Sequence, residues 1–352
     1  MRIHILGINH TTAPIELREK FFLTPTQQEL FLSELKSLPE IAEAFVLSTC
    51  NRTEVYLHTI DGNIDRTLLI RRILNVKKLP YNAEYRKAFY VLHNEDAVEH
   101  LFRVTTGIDS LVLGERQILG QVKGAVEAAR ARGMFLSTFN LLSHLAIKTG
   151  KKAQAETQIS CGGSSMSWAA FTMVEKMLGT LEGKSVLVIG AGKMSELAMQ
   201  QIHERGVKPI YVMNRTESNA QALTEKYGGI PVAFSEIKET LSVVDVGVCS
   251  VGAPHYILEK STVEKIMQLR NNRPLILVDI SMPRNIDPHV AEIPNVALSH
   301  IDDLKRVVDE NMKKRQAAMI KVEQIVQAKV KEFYIKLKKS QNNTPGIFSN
   351  AS

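Results

Sequence analysis

Residues 184–206, KSVLVIGAGKMSELAMQQIHERG, decide the fold. An apolar run ends in glycines and passes directly into a helical pattern, the layout of a buried strand, a tight turn and a helix. Gly190 permits the turn, and Gly192 lets a phosphate approach the backbone. Ser195 stands where the Gly-x-Gly-x-x-Gly fingerprint has its third glycine; that position serves close helix–strand packing, where a small serine is tolerated. The helix N-terminus supplies N–H donors and partial positive charge. Gly190, Ala191, Gly192, Lys193, Met194 and Ser195 are therefore the candidate cradle for a dinucleotide pyrophosphate.

Toward the C-terminus the pattern repeats. KPIYVMNRT (208–216) reads as a second strand, ESNAQALTEKYGG (217–229) as a helix, and DVGVCSVGAP (245–254) and PLILVDISMPR (274–284) as further apolar strands. Strands alternating with helices imply a parallel, doubly wound sheet. The second strand ends in Asn214, Arg215 and Thr216, where an NAD-binding sheet would carry a ribose-binding carboxylate. Arg215 can stack on adenine or pair with a 2′-phosphate, and Thr216 can donate a hydrogen bond, so the site favours NADPH over NADH. SVGAP (250–254) is placed to line the nicotinamide side.

Upstream the texture differs. IHILGIN (3–9) is a strand. TPTQQELFLSELKSL (24–38) is a helix with Thr24 as N-cap and Pro25 at its first position. AFVLS (44–48) and TEVYLH (53–58) flank a polar connection, Thr49, Cys50, Asn51 and Arg52, and read as a hairpin with a thiol at its tip. DRTLLIRRILN (65–75) and NEDAVEHLFRVTTG (94–107) are amphipathic helices; 115–132 and 137–156 are two more. CGGSS (161–165) is a turn leading to the helix SMSWAAFTMVEKML (165–178). From 301 to 338 there is no proline or glycine, and Leu304, Val308, Met312, Met319, Val322, Val326, Val330, Phe333 and Leu337 form one apolar stripe. Such a helix is about 55 Å long. It exceeds the width of a domain, so it should bridge domains or dimerise.

The expected fold is α/β: an N-terminal α+β catalytic domain (1–158), a Rossmann-type NADPH domain (159–298), a long linking helix (299–340) and a tail (341–352). The chain of 352 residues is 44% hydrophobic and 23% charged, an ordinary globular balance with room for two domains. Cys50, Cys161 and Cys249 are too few and too scattered for a disulfide framework or zinc cage, so no metal and a reduced intracellular setting are expected. The first apolar stretch is too short for a signal peptide, and no apolar run approaches the ~20 residues of a spanning helix. A soluble, cytoplasmic protein is expected. The net charge of +7 suits a polyanionic partner such as RNA and equally suits a moderately basic enzyme.

A thiol attacks as thiolate, and a cation two residues away, Arg52, lowers a thiol's pKa. The other reading of Cys50 is a small buried apolar residue, which is also the reading preferred for Cys161 and Cys249. A thiolate beside an NADPH domain suggests attack on an activated acyl group, followed by hydride reduction of the thioester to an aldehyde.

GINHTTAPIELREK (7–20), LSTCNRTEVY (47–56), GIDSLVLGERQILGQVK (107–123), VLVIGAGKM (186–194) and NRT (214–216), in this order and spacing, resemble the bacterial glutamyl-tRNA reductase family over roughly residues 3 to 335. The resemblance implies NADPH-dependent reduction of glutamyl-tRNA to glutamate-1-semialdehyde, the first committed step of tetrapyrrole (heme) synthesis by the five-carbon route. It places the nucleophile on Cys50. It places substrate contacts on Thr49, Asn51, Arg52, Ser110, Glu115, Arg116, Gln117 and Gln121, and a residue important for activity on His100. Gln117 and Gln121, four apart, share a helical face. Arg52 or Arg116 suits a carboxylate or phosphate, and Glu115 an ammonium. His100 falls on the polar side of its helix with Asp96 and Arg103; taken alone it reads as solvated, and the resemblance gives it a part in orienting the ester or in acid–base work. His93 is a nearby decoy. Family members hand their aldehyde to glutamate-1-semialdehyde aminomutase and form homodimers through a C-terminal helical domain; that domain is expected to be missing here, because the chain ends soon after the long helix. Two other readings stand: a shikimate-dehydrogenase-like NADPH oxidoreductase, and a non-catalytic relative that binds tRNA or a heme-pathway protein.

Overall fold

The computed structural model describes residues 2–60, 62, 64–160 and 165–342, apart from the side chains of 305–315 and 341–342. The turn at 161–164 with Cys161, and the tail beyond 342, lie outside the described residues. The chain divides into two units, one of residues 1–161 with 314–352 and one of 162–313.

The first unit holds, in chain order, β1 (Ile3–Asn9), α1 (Ile15–Phe21), α2 (Pro25–Lys36), β2 (Ile41–Ser48), β3 (Arg52–Thr59), α3 (Arg66–Val76), α4 (Tyr85–Ala88), β4 (Tyr90–His93), α5 (Asn94–Thr106), α6 (Gln117–Ala131) and α7 (Ser137–Glu156). Its antiparallel sheet has the order β2-β3-β1-β4. Every residue of β1 is buried, the polar His4 and Asn9 included, in keeping with its interior place in the sheet. Thr24 caps α2 in a reciprocal box with Gln27, with Pro25 at the first position. Gly107 ends α5 with φ +78°, a left-handed conformation that glycine adopts without penalty. The helix expected from residue 115 starts at Gln117, so Glu115 belongs to the loop before it and is buried there. Three elements of this unit escaped the sequence reading: α1, and the four-residue α4 and β4, too short to show a period.

The second unit holds α8 (Met166–Leu178), β5 (Val186–Ile189), α9 (Lys193–Glu204), β6 (Ile210–Met213), α10 (Glu217–Tyr227), β7 (Ile230–Val232), α11 (Ile237–Val243), β8 (Val246–Cys249), α12 (Lys260–Leu269), β9 (Leu275–Asp279) and β10 (Val296–His300). Its six strands are all parallel, in the order β10-β9-β8-β5-β6-β7. The chain winds outward from β5 to β6 and β7, then returns to the other side of β5 as β8. The crevice between the carboxyl ends of β5 and β8 is the switch point where such sheets bind ligands.

The last helix, α13 (Lys305–Asn342), carries the apolar stripe. Val322, Val326, Val330, Phe333 and Leu337 are buried in the core of the first unit. This part of the stripe is therefore covered by its own chain and is not left open for a second copy. Burying side chains of this kind contributes about 1.5–3 kcal/mol each, which fixes this half of the helix to the unit. Among the described residues, no helix is long and apolar enough to cross a membrane.

Candidate active site

The hairpin between β2 and β3 forms as the sequence suggests, and its tip is firmly built. Thr49 N donates to Arg52 O at 2.8 Å, and the Thr49 hydroxyl accepts from the N–H groups of Asn51 and Arg52, each at 3.2 Å. Asn51 O accepts from His10 N at 3.0 Å, tying the tip to the end of β1. Cys50 is thus held on a rigid turn and keeps part of its surface open to solvent.

The electrostatics around the thiol correct one expectation. Burial of the group is the largest influence and pushes Cys50 up to about 12, and the charge of Glu115 adds to this. Arg18, a backbone hydrogen bond and Arg52 pull the other way but do not prevail. Arg52 is a weak acidifier because its charge is already matched. Its guanidinium is buried, with Nη1 donating to Glu54 Oε1 at 2.6 Å and Nη2 to Asp109 O at 2.5 Å. Glu115 is itself perturbed: burial pushes its carboxyl up to about 7, against the pull of Arg52.

Glu54 is the centre of a network that sequence reasoning missed. Arg52, Glu54 and Tyr56 alternate along β3 and so share one face of the sheet. Tyr90 Oη donates to Glu54 Oε1 at 2.5 Å, Tyr56 Oη donates to Oε2 at 2.5 Å, and His100 Nε2 lies 2.9 Å from Oε1. Burial works to raise the Glu54 carboxyl, but Arg52 and then His100 outweigh it and hold it well below the usual range. Gly7, opposite Tyr90 on β1, makes the room: a Cβ there would lie 2.4–2.6 Å from the tyrosine ring. The alternation of Arg, Glu and Tyr was the available signal, since three polar side chains on one face of a central strand must be paired with one another.

His100 is therefore not a solvated helix histidine. Its Nδ1 lies 3.8 Å from Asp109, and only 13% of its side chain is exposed. With Asn9, His10, Tyr90, Asp109 and Ser110 it lines a cavity of about 510 Å³. Asn51 Oδ1 and Gln117 Nε2 are buried without a hydrogen bond among the described residues, an acceptor and a donor suited to a bound polar ligand. Arg116 and Gln121 are exposed, and among the described residues no hydrogen bond brings them to the hairpin. His93 lies at the far end of β1, with Nδ1 2.7 Å from that of His4.

In the second unit, Gly190, Asn214, Arg215, Thr216, Val251 and Gly252 help to line a cleft of about 480 Å³. Gly190 has φ +114°, and a Cβ there would meet Ser250 O at 2.7 Å. A Cβ on Gly192 would meet nothing within 4 Å, so the approach to the N-terminus of α9 is open. Ser195 packs inside, its hydroxyl 2.6 Å from that of Ser250. Lys193 is exposed and paired with Glu196 at 2.9 Å, Met194 and Ala191 are half-buried, and Arg215 is exposed. Among the described residues no acidic side chain lines the cleft, and Arg215 does. The open helix end, the glycine turn and this basic lining fit a dinucleotide with a 2′-phosphate. Cys249 is buried in β8, as its reading as a structural residue required.

Residues 6–157 match the family described as glutamyl-tRNAGlu reductase, N-terminal domain, and residues 172–307 match shikimate / quinate 5-dehydrogenase. Glutamyl-tRNA reductase of Citrifermentans bemidjiense is 37% identical over 95% of this chain and 77% of its own length. That of Bacillus pumilus is 38% identical over 99% of this chain and 75% of its own. The solved structure of glutamyl-tRNA reductase from Methanopyrus kandleri matches with a TM-score of 0.51 and 32% identity, covering 96% of this chain and 80% of that one.

Proposed function

The chain belongs to the glutamyl-tRNA reductase family, and from that premise we propose that it reduces glutamyl-tRNA to glutamate-1-semialdehyde with NADPH, through a thioester on Cys50. The observation that carries the reading is the thiol itself: partly open, on a rigid hairpin tip, with Glu115, Arg18 and Arg52 acting on its charge. Thr49, Asn51, Arg52, Ser110, Glu115, Arg116, Gln117 and Gln121 make up the substrate-binding set.

Free, the thiol is protonated at neutral pH. The α-ammonium of the glutamyl group, placed beside Glu115, cancels the charge that most opposes a thiolate, so substrate binding itself acidifies Cys50. The sulfur then attacks the ester carbon. The C–S bond forms, the bond to the ribose oxygen breaks, and the thiol proton ends on the released ribose hydroxyl. His100, held by Glu54 and Asp109, orients the ester or relays that proton. NADPH, when bound at the glycine loop, supplies the hydride that converts a thioester to an aldehyde. The C–S bond breaks in that step, and a proton from solvent restores the thiol.

Hand-over of the labile aldehyde to glutamate-1-semialdehyde aminomutase and a cytoplasmic setting shared with the charged tRNA complete the proposal. Cys50→Ser should abolish reduction of glutamyl-tRNA and leave NADPH binding intact; substantial reductase activity in this variant would defeat the mechanism.

A further inference from the structure

We propose that Arg103 and Glu323 are positioning residues, whose ion pair lets helix α13 hold the substrate loop 107–116 in place; the inference builds on the reading of that loop as part of the substrate site. The loop carries Ser110, Glu115 and Arg116 between the end of α5 and the start of α6. Its own backbone bonds include those from Ser110 N and Gly114 N to Gly107 O, at 3.3 and 2.9 Å, and from Glu115 N to Val112 O at 3.1 Å. Outside groups grip it at Gly114, whose carbonyl accepts from Ser160 Oγ at 2.7 Å, and at Asp109. The backbone carbonyl of Asp109 takes Arg52 Nη2 from the hairpin. Its carboxylate takes Arg103, with Nε 3.1 Å from both oxygens and Nη2 2.9 Å from Oδ1.

The remaining arm of Arg103 points to α13, where Nη1 donates to Glu323 Oε1 at 2.5 Å. Arg103 is thus a planar fork stretched between the loop and the long helix, and it lies one turn along α5 from His100, on the same face. Hairpin, histidine, loop and α13 are joined through Asp109. The side chains of Arg103 and Glu323 are 27% and 39% exposed, so the pair adds little to global stability. The docking of this half of α13 rests on its buried apolar stripe. The pair is therefore poorly explained as a clamp for the helix and well explained as a strut for the loop.

The test is amide hydrogen exchange on the full chain, with no ligand, read at Ser110, Gly114 and Glu115. Glu323→Ala should speed exchange there by about tenfold and leave the amides of α2 unchanged. Glu323→Gln keeps an oxygen that accepts from Arg103 and should stay near wild type. Acylation of Cys50 at saturating glutamyl-tRNA should fall by about tenfold in Glu323→Ala, with NADPH affinity unchanged. Loop exchange in Glu323→Ala within about twofold of wild type would overturn the proposal, as would an unchanged acylation rate. If the wild-type protein itself forms no adduct, the proposed function fails and loop exchange alone decides the strut.

Discussion

Burial pushes the Glu115 carboxyl from 4.5 up to about 7, so this side chain takes up its proton far more readily than an exposed glutamate. The folded state therefore holds this proton more tightly than the unfolded chain does. The stability that goes with it is fully present below pH 4.5 and is lost as the pH rises through 7. Glu115→Gln, which cannot ionise, should gain on the order of 2 kcal/mol on wild type between pH 5 and pH 8, measured by urea unfolding. A difference that does not grow with pH would contradict the assignment. The same substitution removes a charge that raises Cys50, so alkylation of the thiol at pH 8 should become faster. The position of Cys50 at a hairpin tip was legible in the sequence, because the apolar strand patterns on either side leave a short polar connection between them. The task of Arg52 was not legible: adjacency suggested a cation serving the thiol, whereas the alternation along β3 commits it to Glu54.

At the scale of elements, the sheet of the first unit is organised around one missing side chain. Gly7 leaves space on β1 for the ring of Tyr90, whose hydroxyl satisfies Glu54. Gly7→Ala should push the ring aside and leave a buried carboxylate short of a donor, a loss of about 1–3 kcal/mol in unfolding free energy together with reduced activity. A variant as stable and active as wild type would remove this role. In the second unit we propose that the turn after β6 sets cofactor choice. Arg215→Ala should weaken NADPH far more than NADH, measured by titration of each; equal losses would end the 2′-phosphate argument. The glycine turn and its neighbours were readable because parallel strands, buried on both faces, show as plain apolar runs. β4 was not readable, because four residues carry no period and its pairing with β1 is long-range.

For the whole molecule, the sequence pattern revealed two textures, and the structure has two units whose cores are separate. The long helix was legible as a helix from the absence of breakers and the spacing of its apolar stripe. What covers the stripe was not, since periodicity defines a face but not its partner; half of it belongs to the first unit. Under the proposed function, a thiol in one unit and a dinucleotide cleft in the other serve one reaction, and the covalent intermediate is the claim on which the account rests. The most direct measurement is intact-protein and peptide mass spectrometry after mixing the full chain with glutamyl-tRNA in the absence of NADPH. The account predicts a single glutamyl adduct on Cys50, absent from Cys50→Ser and discharged as aldehyde when NADPH is added. A wild-type protein that turns over glutamyl-tRNA with no adduct on Cys50, or with the adduct on another residue, would contradict it.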